Sequence, residues 1–474
     1  MPIKHETEED RWTYNCEDCV RTREIGETTA EMIPRMGLAA AEEFQQSMFH
    51  PILAAMLRGV RVDFAVRDRL AGEVQEELAK REEFLQFVLG HSINPRSSQQ
   101  MCKLFYEDLK QQPNMTWAKK GVPGHLTCDD EALQRIKARE PLLTPIVDAI
   151  ADIRTLGIFL NNFILAGLDI DGRLRCSYNI CGTATYRLSS SKNAFGGGCN
   201  LQTVPSDKSK SVGKAKARGG EFTLPNLRTM IVPDPGFTFF DIDLDRADLQ
   251  VVVWEAEDEL LKAALRVGAD IHLLNAFHIE GKEPPPLEEL AETHPRYPDH
   301  RAPRKYLREF AKIFCHATNY GGGARTVAVN TGRSIHEIDK AQKHWFGAHP
   351  GIKRWQERTE AQIRKHRFVE NRFGFRWHIF DRVDAALPEA LAWVPQSTVG
   401  IVINKIWRNY HDHLPQVQTL LQVHDSLGGQ LPTHQASILL PKMRELSRIV
   451  IPYPDPLVIP TGIKTSPVSW GDCA

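Results

Sequence analysis

At 474 residues the chain is too long for one simple core and suggests about two to four domains or subdomains. With 42% hydrophobic and 25% charged residues it has the make-up of an ordinary globular protein, and a net charge of −1 neither argues for nor excludes a polyanionic partner. No apolar run reaches the roughly 18 residues of a membrane span, MPIKHETEEDRW is no signal peptide, and nine cysteines without framework spacing point to a reduced, cytoplasmic protein with no membrane partner.

Near the N-terminus Cys16 and Cys19 form a lone CxxC with no second pair, which does not make a zinc site. Residues 41–165 are dominated by helical periodicity. RDRLAGEVQEELAKREEFLQFVLG reads as one long amphipathic helix, and EALQRIKAREPLLTPIVDAIADIRTLGIFLNNFI as further helices. Past residue 170 the texture turns to short strands and turns. The segment 182–205, GTATYRLSSSKNAFGGGCNLQTVP, sets Arg187 among small hydroxyl residues, then a glycine run, Asn200 and Gln202. Such side chains can donate to acceptors in a DNA minor groove, and a polar surface loop fits them equally well. Lys208, Lys210, Lys214 and Lys216 follow in a run that is either a solvated loop or a tracker of phosphates.

GFTFFDIDLD begins a strand that continues as helix. Period-two alternation puts Asp241, Asp243 and Asp245 on one face and Phe240, Ile242 and Leu244 on the other. Three carboxylates on one face repel unless they are solvated or bind a cation such as magnesium. Residues 281–303 are proline-rich, a loop with one short helix. In the helix 304–320, Tyr306, Leu307, Phe310, Ile313, Phe314 and Ala317 gather on a face that must be packed. Arg304, Arg308, Lys312 and His316 make the opposite stripe, with no acidic residue at i+4 to neutralise it, so a triphosphate is a candidate partner. Last, LLQVHDSLGGQL (420–431) places His424 and Asp425 between two apolar runs, a tight β-hairpin. A salt bridge, a hydrogen-bonded histidine and a bound metal all remain open as compensation for Asp425. The whole is a mixed α+β protein with helical insertions.

Taken together, these motifs resemble the family A (bacterial polymerase-I-like) DNA polymerases. Asp243, with Asp248-Leu249 five positions on and GADIH downstream, is similar to the first palm motif, in which the aspartate binds metal and the second acid is a steric gate. Asp241 is the runner-up for the metal ligand. Arg308, Lys312, Tyr320 and Gly321 match the fingers motif, and Gln422 to Asp425 the Gln-Val-His-Asp motif. RLSS and NLQ match the template-primer motif, and Gln396 a further duplex-contacting glutamine. NPRSSQQMCKLF is similar to the thumb.

The resemblance implies a right-hand fold: a 1–40 remnant like the end of a 3′–5′ exonuclease, thumb 41–165, palm 166–258, fingers 259–378, and palm again 379–474. It also implies an activity, template-directed addition of dNTPs to a primer 3′-hydroxyl with release of pyrophosphate. Asp243 and Asp425 would hold two magnesium ions, with manganese able to substitute. Arg308 and Lys312 would bind the triphosphate, Lys312 as a general acid, with His316, Tyr320 and Asp248 completing the nucleotide site. Arg187, Asn200, Gln202, Gln396 and His424 would read the minor groove, and the lysine run would add duplex affinity.

Several positions depart from the family pattern. His316 stands for Phe or Tyr, Asp248 for Glu, Ser426 for Glu and Tyr186 for Gly. Residues 206–218 and 281–303 look like insertions. Tyr14 and Asp18 fit the last exonuclease motif, but no upstream segment supplies the other carboxylates. That helix is expected to dock on the thumb and palm as a relic, or to be completed by a separately encoded exonuclease or other replisome protein. Compactness points to a bacteriophage replication enzyme, working in the host cytoplasm. A single-subunit RNA polymerase shares the two aspartates, the Lys and the Tyr, but an acidic gate at Asp248 serves to reject ribose. A degenerate, inactive DNA-binding subunit would have no need to keep Asp243, Lys312, Tyr320 and Asp425 together.

Overall fold

The structure, a computed structural model, describes residues 7–116, 124–193, 195–206, 209 and 223–473. Lys208, Lys210, Lys214 and Lys216 lie outside them. At its centre is a four-stranded antiparallel sheet in the order Thr461–Ser466, Phe237–Leu244, Ser426–Pro432, Gln418–Val423. The strand Phe237–Leu244 pairs on both edges, which is why its apolar positions are so thoroughly covered. Phe240, Ile242 and Leu244 are buried on one face, and Tyr410 of the long helix Val383–His413 meets Phe240 edge-on at 6.5 Å. Each such side chain contributes about 2 kcal/mol. The acidic face is not purely acidic: Phe239 shares it and stacks on Trp470 at 6.3 Å.

Val383–His413 is long and apolar enough to cross a membrane by length and composition, yet most of that apolar window is buried against the protein, as befits a core helix.

Residues 64–158 hold a second apolar cluster, built by the helices Phe64–Leu89, Asp130–Arg139 and Thr144–Ile158 around Leu85, Phe105, Ile136 and Ile150. Asp63 and Asp129 cap the first two by accepting from the N–H groups of Val66 and Ala132. Between them and the central sheet lies a small antiparallel sheet, Val60–Val62 flanked by Arg173–Leu174 and Ile231–Val232.

The helix Glu8–Arg35 starts on a capping box between Thr7 and Asp10 and has no buried residue at all. The expected docking of this segment on the thumb and palm is therefore not what the fold displays. Trp12, Val20 and Ile25 stay in solvent, and Arg376 bonding the Met36 carbonyl ties the helix's end to the body.

Two expectations from helical periodicity also need correction. Lys305–Asn319 is a helix, but Tyr306 and Ile313 on its apolar side are 80% and 51% exposed, because the packed face is centred instead on Phe310, Ala311, Phe314, Cys315 and Thr318. Its basic stripe does find acids, from elsewhere in the chain: Arg304 pairs with Glu280, and Arg308 with Asp270.

Candidate active site

The pair His424-Asp425 forms the turn itself, between strands ending at Val423 and starting at Ser426. His424 takes a left-handed conformation (φ 57°), a state open to few residues besides glycine, asparagine, aspartate and histidine. Ser426 Oγ closes the turn on the Val423 carbonyl at 2.9 Å. Gly428 and Gly429, which the sequence set close behind the turn, lie inside the second strand. A Cβ at Gly429 would sit 2.2 Å from the Gln418 carbonyl and 2.7 Å from the Phe240 ring, and the strand register slips between the two glycines. They allow a bulge, which bends the strand locally.

This packing decides where the acids fall. Ser426 pairs directly across from Asp243, and the Leu244 N–H donates to the Asp425 carbonyl at 3.3 Å, so Asp243 and Asp425 come side by side at one end of the two central strands. Partial burial, then the charges of Asp425 and Asp241, push the Asp243 carboxyl up to about 6. Asp243, crowded by its acidic neighbours, and the adjacent Asp425 could serve as a donor set for a divalent cation, which needs only one or two protein carboxylates when a substrate supplies phosphates. Among the described residues there is no ready cage of three or more His, Cys, Asp or Glu side chains.

Asp241 is differently employed. It accepts from Trp470 Nε1 at 2.8 Å and lies opposite Lys464 in the sheet. Burial raises its pKa, and Trp470, Arg228 and Lys464 pull it back. It shares with Asp243, Asp245 and Ser426 a polar cavity of about 340 Å³.

A second cavity, about 500 Å³, opens beside the helix Lys305–Asn319 and is lined by Lys312, His316, Tyr320, His272, Asn275 and Leu249. Asp248 links the two regions. Burial and Asp425 raise its pKa, while Arg187, bonded at 3.2 Å, and nearby His316 lower it. His316 meets the Tyr320 ring edge-on at 4.8 Å, and Tyr320 is pushed well up by burial and then by Asp248. Lys312 reaches the cavity exposed and makes no ion pair among the described residues. Arg308 does not reach it unencumbered: its Nε bonds the buried Asp270 at 2.5 Å, and Tyr297 O–H donates to the same carboxylate oxygen.

His272 was read only as part of a register marker, yet it lines this cavity with a buried Nδ1 that has no partner. Burial first, against the pull of Asp270 and with the push of Arg308 and Lys312, lowers its pKa to about 4. The signal available in the sequence was the DIH triplet at a helix start, where Asp270 caps Ile271–Glu280.

The expected groove readers are partly committed elsewhere. Gln202 donates both amide hydrogens inside the protein, to the Leu188 carbonyl and to Gln422 Oε1, so it offers an acceptor where a donor was expected. Asn200 caps the turn Leu201–Thr203 through its Oδ1, which also takes the Ser190 hydroxyl, leaving its amide hydrogens outward. Gln422 is fully buried and donates to the His424 carbonyl at 3.0 Å, bracing the His424-Asp425 turn from behind. His424 is exposed, and Gln396 is half-buried on Val383–His413.

A carboxylate pair at the end of the central strands thus lies near a mainly apolar cavity into which Lys312, His316 and Tyr320 project. Residues 65–453 match the model of DNA polymerase family A, and the chain belongs to that family. It is 27% identical over 421 residues to DNA polymerase I of Chloroflexus aurantiacus, covering 86% of this chain and 40% of that protein. It is 26% identical to the thermostable DNA polymerase I of Thermus filiformis over 87% of this chain and 46% of the other. A DNA polymerase of Mycobacterium phage D29 is 27% identical over 52% of this chain and 38% of its own length. The chain thus spans less than half the length of these curated relatives.

Among solved structures, the POL domain of a polymerase from M. smegmatis, in complex with DNA primer-template and dNTP, superposes with a TM-score of 0.75. That match has 20% identity and covers 94% of this chain and 73% of that one. The mixed α+β fold is that of a polymerase domain.

Proposed function

We propose that the chain is a template-directed DNA polymerase, adding deoxynucleotides to a primer 3′-hydroxyl with release of pyrophosphate. The observation that carries this reading is the meeting of Asp243 and Asp425 at the end of the central strands, within reach of Asp248 and of the cavity holding Lys312, His316 and Tyr320.

Asp243 and Asp425 are the residues to hold magnesium, or manganese in its place. When bound, such ions lower the pKa of an attacking hydroxyl and neutralise phosphate charge. The chain's own side chains do the positioning. Lys312, an exposed ammonium that makes no ion pair among the described residues, contacts the triphosphate and can pass a proton to the leaving pyrophosphate. His272 is held neutral in its cavity, so it can meet a phosphate oxygen as a hydrogen-bond donor without adding charge. Arg308, anchored by Asp270, presents its remaining N–H groups in a fixed direction.

Asp248, held by Arg187, stands between the acids and the sugar side of the cavity, where its carboxylate would clash with a ribose 2′-hydroxyl. Tyr320 and His316 supply the aromatic wall against which a base can stack. Arg187, Asn200, Gln396 and His424 line the route of the primer-template duplex, and the lysine run 208–216 adds sequence-independent attraction.

The likeness to a phage polymerase supports a role in bacteriophage replication, hence in the host cytoplasm. The helix Glu8–Arg35, which buries no residue, supports a separately supplied partner, such as an exonuclease or replisome protein. Primer extension on a primed template tests the core reading. Extension with dNTPs, dependent on a divalent cation and much weaker with rNTPs, is the expected result. Equal use of rNTPs would favour an RNA polymerase, and no extension a binding role.

A further inference from the structure

The stretch SKNAFGGGC (191–199) runs from the strand Ser189–Ser191 to Asn200, and it builds a closed, braced loop. The Asn193 N–H donates to the Gly197 carbonyl at 2.9 Å, and the Gly196 N–H returns to the Asn193 carbonyl at 3.0 Å. Asn193 Oδ1 also accepts from the N–H groups of Phe195 and Gly197, both at 3.0 Å, an Asx-type closure.

The loop's base is clamped as well. The Gly198 N–H donates to the Gly167 carbonyl at 2.8 Å. Gly198 has φ +69°, and a Cβ there would lie 1.7 Å from the Arg175 carbonyl, so only glycine lets the two backbones meet. At the tip, Phe195 is 98% exposed.

Single exposed apolar residues are common and need no explanation by themselves. This one is held out by a loop braced through hydrogen bonds at Asn193, Phe195, Gly196, Gly197 and Gly198. It is flanked by exposed Lys192 and lies between the two segments that carry Arg187 and Asn200. Three residues past the loop, Gln202 donates to Gln422, which in turn donates to the His424 carbonyl of the His424-Asp425 turn.

We propose that Phe195 is a duplex-contacting wedge: its ring enters the minor groove of the primer-template behind the primer terminus, with Lys192 beside a phosphate. Apolar side chains inserted in this way partially unstack a base step, and a braced loop makes the insertion without an ordering cost. The inference rests on the polymerase reading above.

The experiment measures affinity for a fluorescently labelled primer-template by anisotropy at several salt concentrations, alongside primer extension. Phe195→Ser should raise Kd about fivefold or more. The slope of log affinity against log salt should not change, because no charge is lost. With 2-aminopurine stepped along the duplex, the wild type should brighten one position that Phe195→Ser leaves dark.

A wild type that extends primers while Phe195→Ser binds within twofold of it would overturn this inference and leave the polymerase reading intact. Equal weakening on single-stranded template would overturn the assignment to duplex. A wild type that neither binds nor extends primer-template would overturn both.

Discussion

At the scale of single residues, the acidic strand Phe237–Leu244 divides its labour. Asp243 and Asp425 meet at the end of the central strands, whereas Asp241 is hydrogen-bonded to Trp470. Asp243→Asn and Asp425→Asn should each lower extension at least about 100-fold while primer-template affinity stays near wild type, since charge stabilisation is lost in the transition state. Asp241→Ala should behave oppositely. It strips Trp470 Nε1 of its acceptor, at a cost of about 1–3 kcal/mol in unfolding free energy, and spares most activity. Paired denaturation and extension assays separate the two patterns.

The same residue sets a pH signature. The Asp243 pKa is raised on folding, to about 6, so the native state binds the extra proton. That contribution favours folding only at low pH and turns against it as pH climbs from about 4 through 6. In metal-free buffer Asp243→Asn should therefore melt higher than wild type at pH 8, with the gap closing toward pH 4. Magnesium should raise the wild-type melting temperature and narrow the difference, as binding to the native state does. A gap independent of pH would mean that Asp243 is not under electrostatic strain.

At the scale of elements, the helix Lys305–Asn319 carries two cations with different occupations. Arg308 neutralises Asp270, a carboxylate only 2% exposed that also caps Ile271–Glu280 and takes the Tyr297 hydroxyl. Arg308→Ala should cost about 3 kcal/mol because it leaves that buried charge short of a partner. Lys312 has nothing to stabilise, so Lys312→Ala should leave the melting temperature within about 2 °C and fall on the rate of extension. Thermal melts together with single-turnover kinetics would show whether stability and catalysis split this way. Similar stability losses in both variants would contradict the assignment of roles.

At the scale of the whole molecule, one helix stands apart from the packing. Glu8–Arg35 buries no residue, so removing the chain up to Arg35 forfeits almost no hydrophobic contact. The truncated protein should melt within about 2 °C of the full chain and extend primers at an unchanged rate. In the full chain, brief protease treatment should cut within this helix first, because isolated helices are marginal in water. A truncated protein that loses several degrees would show the helix to be packed on the body in solution.

Much of this was legible along the chain, and for a local reason. Alternation over Phe237–Leu244, the i+4 stripe of Arg304, Arg308 and Lys312, and the adjacency of His424 and Asp425 are short-range facts. Backbone periodicity and side-chain chemistry alone express them. Asp243 could be preferred to Asp241 from motif register. The tertiary structure decided what depends on partners distant in sequence. It turned Gly428-Gly429 from a turn signal into a bulge, because Phe240 and Gln418 crowd that strand. It tied Arg308 to Asp270 across 38 residues, and it spent Gln202's amide on Gln422 across 220. It also left Tyr306 and Ile313 in solvent although their spacing called for a packed face. A sequence states which groups a segment can offer; which of them are already satisfied depends on the neighbours that folding brings within hydrogen-bond and contact distance, and only the remainder is free for substrate.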